Sequence, residues 1–263
     1  MQHINCLIND ENITVFIYSD IFLRRLTMLN YNIFLFVVFI TNILQSITGF
    51  AGTMLAMPIS ILLIGIEPSK AILNFVGMLA SLWIVIRNKN DISYKELIKI
   101  IIYMGIGILI GGLISLKISS NILLKIYGII IILITLKKML LKNEITLSEW
   151  ILKCILLIAG IIHGIFISGG SFLVIYAAIK LKNKSEFRAT LSAVWVILNF
   201  FLMLTHIYLG YFKNISLSLN LLAILFMFVG VIIGSIIHKK IEQKIFLKIT
   251  YILLLISGIL VLR

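Results

Sequence analysis

Two glycine-rich interruptions inside apolar stretches constrain this chain more than any other feature. Residues 45–58 read QSITGFAGTMLAMP and residues 163–176 read HGIFISGGSFLVIY, 118 positions apart. Backbone that leaves the helix at bilayer depth is tolerated only where it is buried in protein or lines a cavity. Matched interruptions in two halves of a chain are the pattern expected of a transporter's binding site. The solvent is indeed lipid. The chain is 61% hydrophobic and 13% charged, whereas a soluble domain is about 45–50% apolar and about a quarter charged.

Apolar runs fall at about 32–48, 53–66, 70–87, 97–116, 121–140, 151–167, 171–181, 188–207, 217–237 and 245–262. Most are long enough to cross a hydrocarbon core of about 30 Å. Runs 53–66 and 171–181 reach only roughly 21 and 16 Å at the helical rise, so each reads as a half-helix closing a re-entrant hairpin. The expected fold is an all-α integral membrane protein of about 8–10 helical segments.

The chain also repeats itself. At an offset of 118, Gln45 matches His163, Gly52 matches Gly170, Thr53 matches Ser171, Lys70 matches Arg188 and Ser81 matches Asn199. Further on the offset becomes 123, where Gly107, Gly111, Lys117 and Lys125 match Gly230, Gly234, Lys240 and Lys248. The expected organisation is one transporter domain at 31–263, with repeats at about 31–142 and 150–263. It follows a polar segment at 1–30 that is either a loose tail or a surface helix. Met28 could equally be the true start.

Charge decides between parallel and inverted repeats. If each interrupted hairpin returns to its own side, loops 87–99, 137–153, 180–188 and 238–248 share a face with 16 of the 23 Lys and Arg residues. Counting each hairpin as one crossing leaves the two faces at 12 and 11. Basic residues favour the cytoplasm, so the uneven distribution favours inverted repeats with both termini outside. The net charge of +13 reflects this topology and contact with anionic lipid headgroups; nucleic acid is not an expected partner.

The interruptions suggest their own chemistry. A half-helix beginning at Thr53 or Ser171 aims N–H groups and a positive dipole end at the break. Gly49, Gly52, Gly169 and Gly170 let a ligand approach the backbone closely. Polar Gln45 and His163 on the apolar runs leading into each tip are site candidates by default, as are Ser81 and Asn199 in mid-helix. The result would be a small donor-rich pocket suited to an anion. Gly107, Gly111, Gly230 and Gly234 read instead as helix-packing faces, and Lys70, Arg188 and His206 as snorkelling side chains near helix ends. No span carries Asp or Glu, no HExxH pair, Asp dyad or Ser/His/Asp set lies within the spans, and the two cysteines show no metal or redox spacing. The sequence therefore points away from an enzyme, a cofactor and a metal.

In their order, these motifs resemble the sulfite exporter TauE/SafE family, also called sulfonate uptake permeases. The first half reads GFAGTMLAMP, then EPSKA, then NDISY; the second reads ISGGSFLVIY, SEFRA and GYFKN. The second departs by Ile167 and Ser168 where glycines might stand, and by Tyr176 in place of proline. The resemblance runs from about residue 31 to the C-terminus and implies two four-helix halves. It also implies a secondary transporter of small anions such as sulfite, other sulfur oxyanions or organosulfonates, embedded in the cell membrane. The same scaffold could carry another organic acid or sulfur metabolite, or serve as a non-transporting membrane scaffold. Homo-oligomerisation is left open.

Overall fold

The computed structural model describes residues 10–115, 147–167, 169–181, 183–213 and 215–262, with isolated helical positions at 129, 132, 133 and 136. Most of the run expected at 121–140, the matches at Lys117 and Lys125, and Ser168 lie outside these residues. The described helices are α1 Asp10–Thr48, α2 Ala51–Ile64, α3 Ile66–Arg87, α4 Tyr94–Ser115, α5 Glu149–Phe166, α6 Gly170–Lys180, α7 Lys184–Tyr208, α8 Leu217–Lys240 and α9 Gln243–Leu262. Among the described residues there is no strand, and five helices are long and apolar enough to cross a membrane. From Asp10 onward the N-terminal segment is helical and continuous with the first apolar run, not a loose tail.

Apart from α1, the helices begin no more than about a turn before the apolar runs, and polar residues fix two of these starts. Ser148 and Asn183 accept from Ile151 N and Ser185 N, capping α5 and α7, a role for which short polar side chains are preferred. Inside the bundle, α2 and α6 fold back on the helices before them. A Cβ on Gly52 would stand 3.2 Å from the Thr41 carbonyl, and one on Gly169 would stand 2.2 Å from the Ala159 carbonyl. Lys180, at the end of α6, pairs with Glu149 at the start of α5. That hairpin therefore ends on the face from which it set out.

The other contacts extend this arrangement. Lys184 N donates to Gln243 Oε1 at 2.8 Å, Lys184 Nζ to the His238 carbonyl at 3.0 Å, and Ser93 N to Thr190 Oγ1 at 3.0 Å. One face thus gathers the starts of α4, α5, α7 and α9 and the ends of α3, α6 and α8. It carries Arg87, Lys99, Lys180, Lys184 and Lys239. Further along, Asn74 Nδ2 of α3 donates to the Asn199 carbonyl of α7 at 2.9 Å, while Ser93, beyond the end of α3, meets Thr190 near the start of α7, so α3 and α7 run antiparallel.

Two further seams use glycine to bring backbones together. Cβ atoms on Gly107 and Gly111 would stand 2.3 Å from the carbonyls of Leu157 and Ile161. On Gly230 and Gly234 they would stand 2.6 and 2.4 Å from those of Phe39 and Ile43. The packing role expected of these four glycines is what the contacts require. The first seam joins α4 to α5 and the second α8 to α1, both parallel and with partners 118 positions apart along the chain. Apolar cores lie on either side: Phe34, Val38, Ile72 and Met227 in one, and Met104, Leu156, Tyr176 and Phe246 in the other. Exposed large apolar side chains, among them Phe36, Leu109, Leu113 and Leu225, cover the outside with apolar surface suited to lipid.

Candidate functional site

About halfway along α3 and α7 the two hairpin tips meet. The Phe50 carbonyl lies 3.4 Å from where a Cβ on Gly170 would stand. Around this contact is a cavity of about 10 Å³, lined by Gln45, Phe50, Thr53 and Met54 of the first tip and by His163, Ile167, Gly170, Trp195 and Asn199 of the second half. That is room for about one water, so any larger solute enters only when the tips or their neighbours move apart.

Two hydrogen bonds frame the cavity. Gln45 Nε2 donates to Ser81 Oγ at 3.2 Å, and His163 Nε2 pairs with Asn199 Oδ1 at 3.0 Å. Each joins a tip helix to a mid-helix partner 36 positions on, and the second bond is the first moved along the chain by 118. All four side chains are at most 3% exposed. Buried polar groups of this kind specify one arrangement when satisfied and are costly when not.

The turns themselves also match. Gly49 has φ 84° and Ile167, 118 positions later, has φ 55°. Left-handed backbone is easy for glycine, while in a β-branched residue it is an outlier. A Cβ on Gly49 would stand 2.8 Å from the Arg188 carbonyl, and Trp195 Nε1 donates to the Gly49 carbonyl at 2.8 Å. Trp195 also lies against His163, with ring centroids 4.9 Å apart. Its counterpart by offset is Gly77, whose Cβ would stand 2.9 Å from Thr53 Oγ1 and 3.8 Å from Asn199 Nδ2.

Of the ten site residues expected from sequence, Gln45, Thr53, His163, Gly170 and Asn199 line the cavity. Ser81 stands behind Gln45. Gly52 is likewise behind it, donating its N–H to Gln45 Oε1 at 2.8 Å. Ser171 Oγ is turned to Met54 Sδ at 2.8 Å, joining the two half-helices. Gly49 forms the first turn, and Gly169 lies against the α5 backbone with the His163 Cβ 2.7 Å from its own Cβ position.

One expectation is corrected in part: at the start of the first half-helix three amides are already occupied, Phe50 N and Ala51 N by Thr48 Oγ1 at 3.4 and 3.3 Å and Gly52 N by Gln45 Oε1 at 2.8 Å. In the second half-helix Ser171 and Phe172 are not free either. Among the lining side chains, the Thr53 hydroxyl and the Asn199 amide are donors without a hydrogen-bond partner among the described residues. The buried His163 Nδ1 also has no partner. The cavity lining carries no acidic, lysine or arginine side chain.

Phe50, Met54 and Trp195 are pocket walls that residue-type reasoning passed over; the place of Trp195 opposite Gly77 in the repeat register was the available signal. Arg188 and His206 are also corrected. They are 3% and 5% exposed, so they do not snorkel. Arg188 Nη2 donates to Ser46 Oγ at 3.3 Å and to Ser235 Oγ at 2.9 Å. Among the described residues no group of three or more His, Cys, Asp or Glu side chains could hold a metal ion.

The sequence model of the family described as sulfite exporter TauE/SafE matches residues 34–261. No curated protein and no solved structure matches the chain.

Proposed function

We propose that this chain, which belongs to the sulfite exporter TauE/SafE family, is a secondary carrier moving a small sulfur oxyanion outward across the cell membrane through the cavity between its hairpin tips. The observation that carries this reading is the pair of matched bonds, Gln45 to Ser81 and His163 to Asn199, meeting at one buried cavity. A structural scaffold needs no such pair. Neutral donors suit a cargo that must also leave, since conduction requires binding weak enough for release. An anion leaving a negative interior gains about 2.3 kcal/mol per charge per 100 mV, so export can run on the membrane potential.

We infer further that the domain at 31–263 is an inverted duplication. The antiparallel course of α3 and α7 supports this, as do the two glycine seams at equal spacing. The basic face is then cytoplasmic. Alternating access would come from one hairpin and its supporting helices rocking against the other, opening the cavity to each side in turn.

Flux of radiolabelled sulfite into proteoliposomes, with and without an imposed potential, tests the reading. Saturable, potential-dependent flux that falls at least tenfold in Asn199→Leu is expected. Flux unchanged in that variant removes the pocket from the path. Competition by a carboxylate in preference to sulfite would assign the scaffold to organic acids. Cysteines placed at Lys89 and Lys213 should label from opposite faces; labelling from one face rejects inversion.

A further inference from the structure

The central cavity lacks a formal positive charge, yet a buried one stands just outside it. On the basic face, α3, α7 and α8 and the residue after α3 form a second, partly open cavity of about 510 Å³, lined by Trp83, Arg87, Asn88, Arg188, Ser235, Lys239 and two isoleucines. It brings three cations together with no carboxylate in its lining. Arg87 lies over the Trp83 ring at 4.6 Å, which orients its guanidinium. Arg188 is the unusual member. It is 3% exposed, its Nε has no partner among the described residues, and its Nη2 donates to two serine hydroxyls. Asp91 is the carboxylate whose charge reaches it, and among the described residues the two form no ion pair.

A buried guanidinium satisfied only by hydroxyls is costly unless an anion completes it. Its planar donor fork suits oxyanions better than any other side chain does. We propose that this cavity is a second oxyanion site, in which Arg188 holds the anion with help from Ser235, Arg87 and Lys239. The thin partition between it and the central cavity is the first turn. Ser46, which accepts from Arg188, adjoins Gln45 of the central lining, and the backbone carbonyl of Arg188 packs on Gly49. An anion here waits one turn of chain from the carrier pocket. Part of the inference, that the occupant is cargo rather than lipid, rests on the carrier reading; the existence of the site does not.

Equilibrium dialysis of radiolabelled sulfite against the full-length protein tests it, first in neutral detergent and then in nanodiscs with and without phosphatidylglycerol. Binding that survives Asn199→Leu but weakens at least tenfold in Arg188→Gln, with partial recovery in Arg188→Lys, is the expected result. Should Arg188→Gln fail to fold, the double variant Arg87→Gln/Lys239→Gln, which leaves the buried group intact, is expected to weaken binding about threefold to tenfold. Binding unchanged in whichever of these variants folds overturns the proposal. In nanodiscs, equal sulfite binding with and without phosphatidylglycerol identifies the occupant as free solute. Loss of sulfite binding in phosphatidylglycerol, with a retained lipid that disappears in Arg188→Gln, identifies it as a headgroup phosphate. Sulfite binding that depends on Arg188 in a protein showing no flux would leave this site standing and remove the carrier reading alone.

Discussion

The two chain breaks reach the same backbone shape with different residues. At the first, Gly49 adopts φ 84° with a neighbouring carbonyl so close that no side chain fits. At the second, Ile167 takes φ 55° and remains 2% exposed, so its buried side chain offsets the conformational cost of the turn. The polar bonds behind the breaks likewise keep their geometry while the residues change, glutamine and serine in one and histidine and asparagine in the other. Mid-helix, however, Gly77 in one half stands against Trp195 in the other. The backbone pattern is common to both halves, and the asymmetry of the cavity comes from side chains.

The sharpest way to break this comparison is to exchange the turn residues. Gly49→Ile should be the most damaging substitution, combining left-handed strain of about 1–2 kcal/mol with collision against the Arg188 carbonyl. Monodisperse protein by size-exclusion chromatography is expected to fall at least tenfold. By contrast, Ile167→Gly relieves the strain but loses buried apolar surface worth about 1.5–3 kcal/mol. Its net change should be a loss of about 1 kcal/mol, read from detergent-solubilised thermal unfolding. Equal damage from both would show that the two turns do different jobs.

Next in size come the paired bonds. A double-mutant cycle on His163 and Asn199, and another on Gln45 and Ser81, should each give a coupling of about 0.5–1.5 kcal/mol in unfolding. A coupling in one half and none in the other would dissolve the correspondence. Gly77→Ala places a methyl against Thr53 Oγ1 and is expected to slow flux about threefold. Gly170→Ala meets its nearest neighbour at 3.4 Å and should change flux less than twofold. The smallest effect belongs to Gly105→Ala, where nothing lies within 4 Å, so its unfolding should match the parent. Its helix neighbour Gly107, replaced by alanine, should open the seam with α5 and destabilise the protein.

Much of this was legible in the chain itself. Run lengths and hydropathy located the helices, and self-comparison at one offset picked out Gln45, Ser81, His163 and Asn199, whose side chains form the two bonds 118 positions apart. The helix starts were read too late, since capping residues such as Asn183 and headgroup-facing lysines such as Lys184 are polar yet helical. Arg188 was misread for the same reason. A basic residue one turn from a helix end snorkels when its helix faces lipid, but α7 lies at the centre, so the side chain is enclosed. Three of the expected amide donors, those of Phe50, Ala51 and Gly52, are occupied because Thr48 and Gln45, earlier on the same run, reach forward to them; a side-chain bond of that kind competes with any ligand for the same N–H.

The crossed seams have a consequence for biogenesis. Because α1 lies along α8 and α4 along α5, each half completes its packing with a helix from the other. A nascent chain inserts α1 long before α8 emerges, leaving Ser46, later satisfied by the Val231 carbonyl at 2.8 Å and by Ser235, to wait in lipid or beside an insertase. Expressing either half by itself should therefore yield an orphan that is degraded, whereas supplying both halves as separate polypeptides should let them find each other.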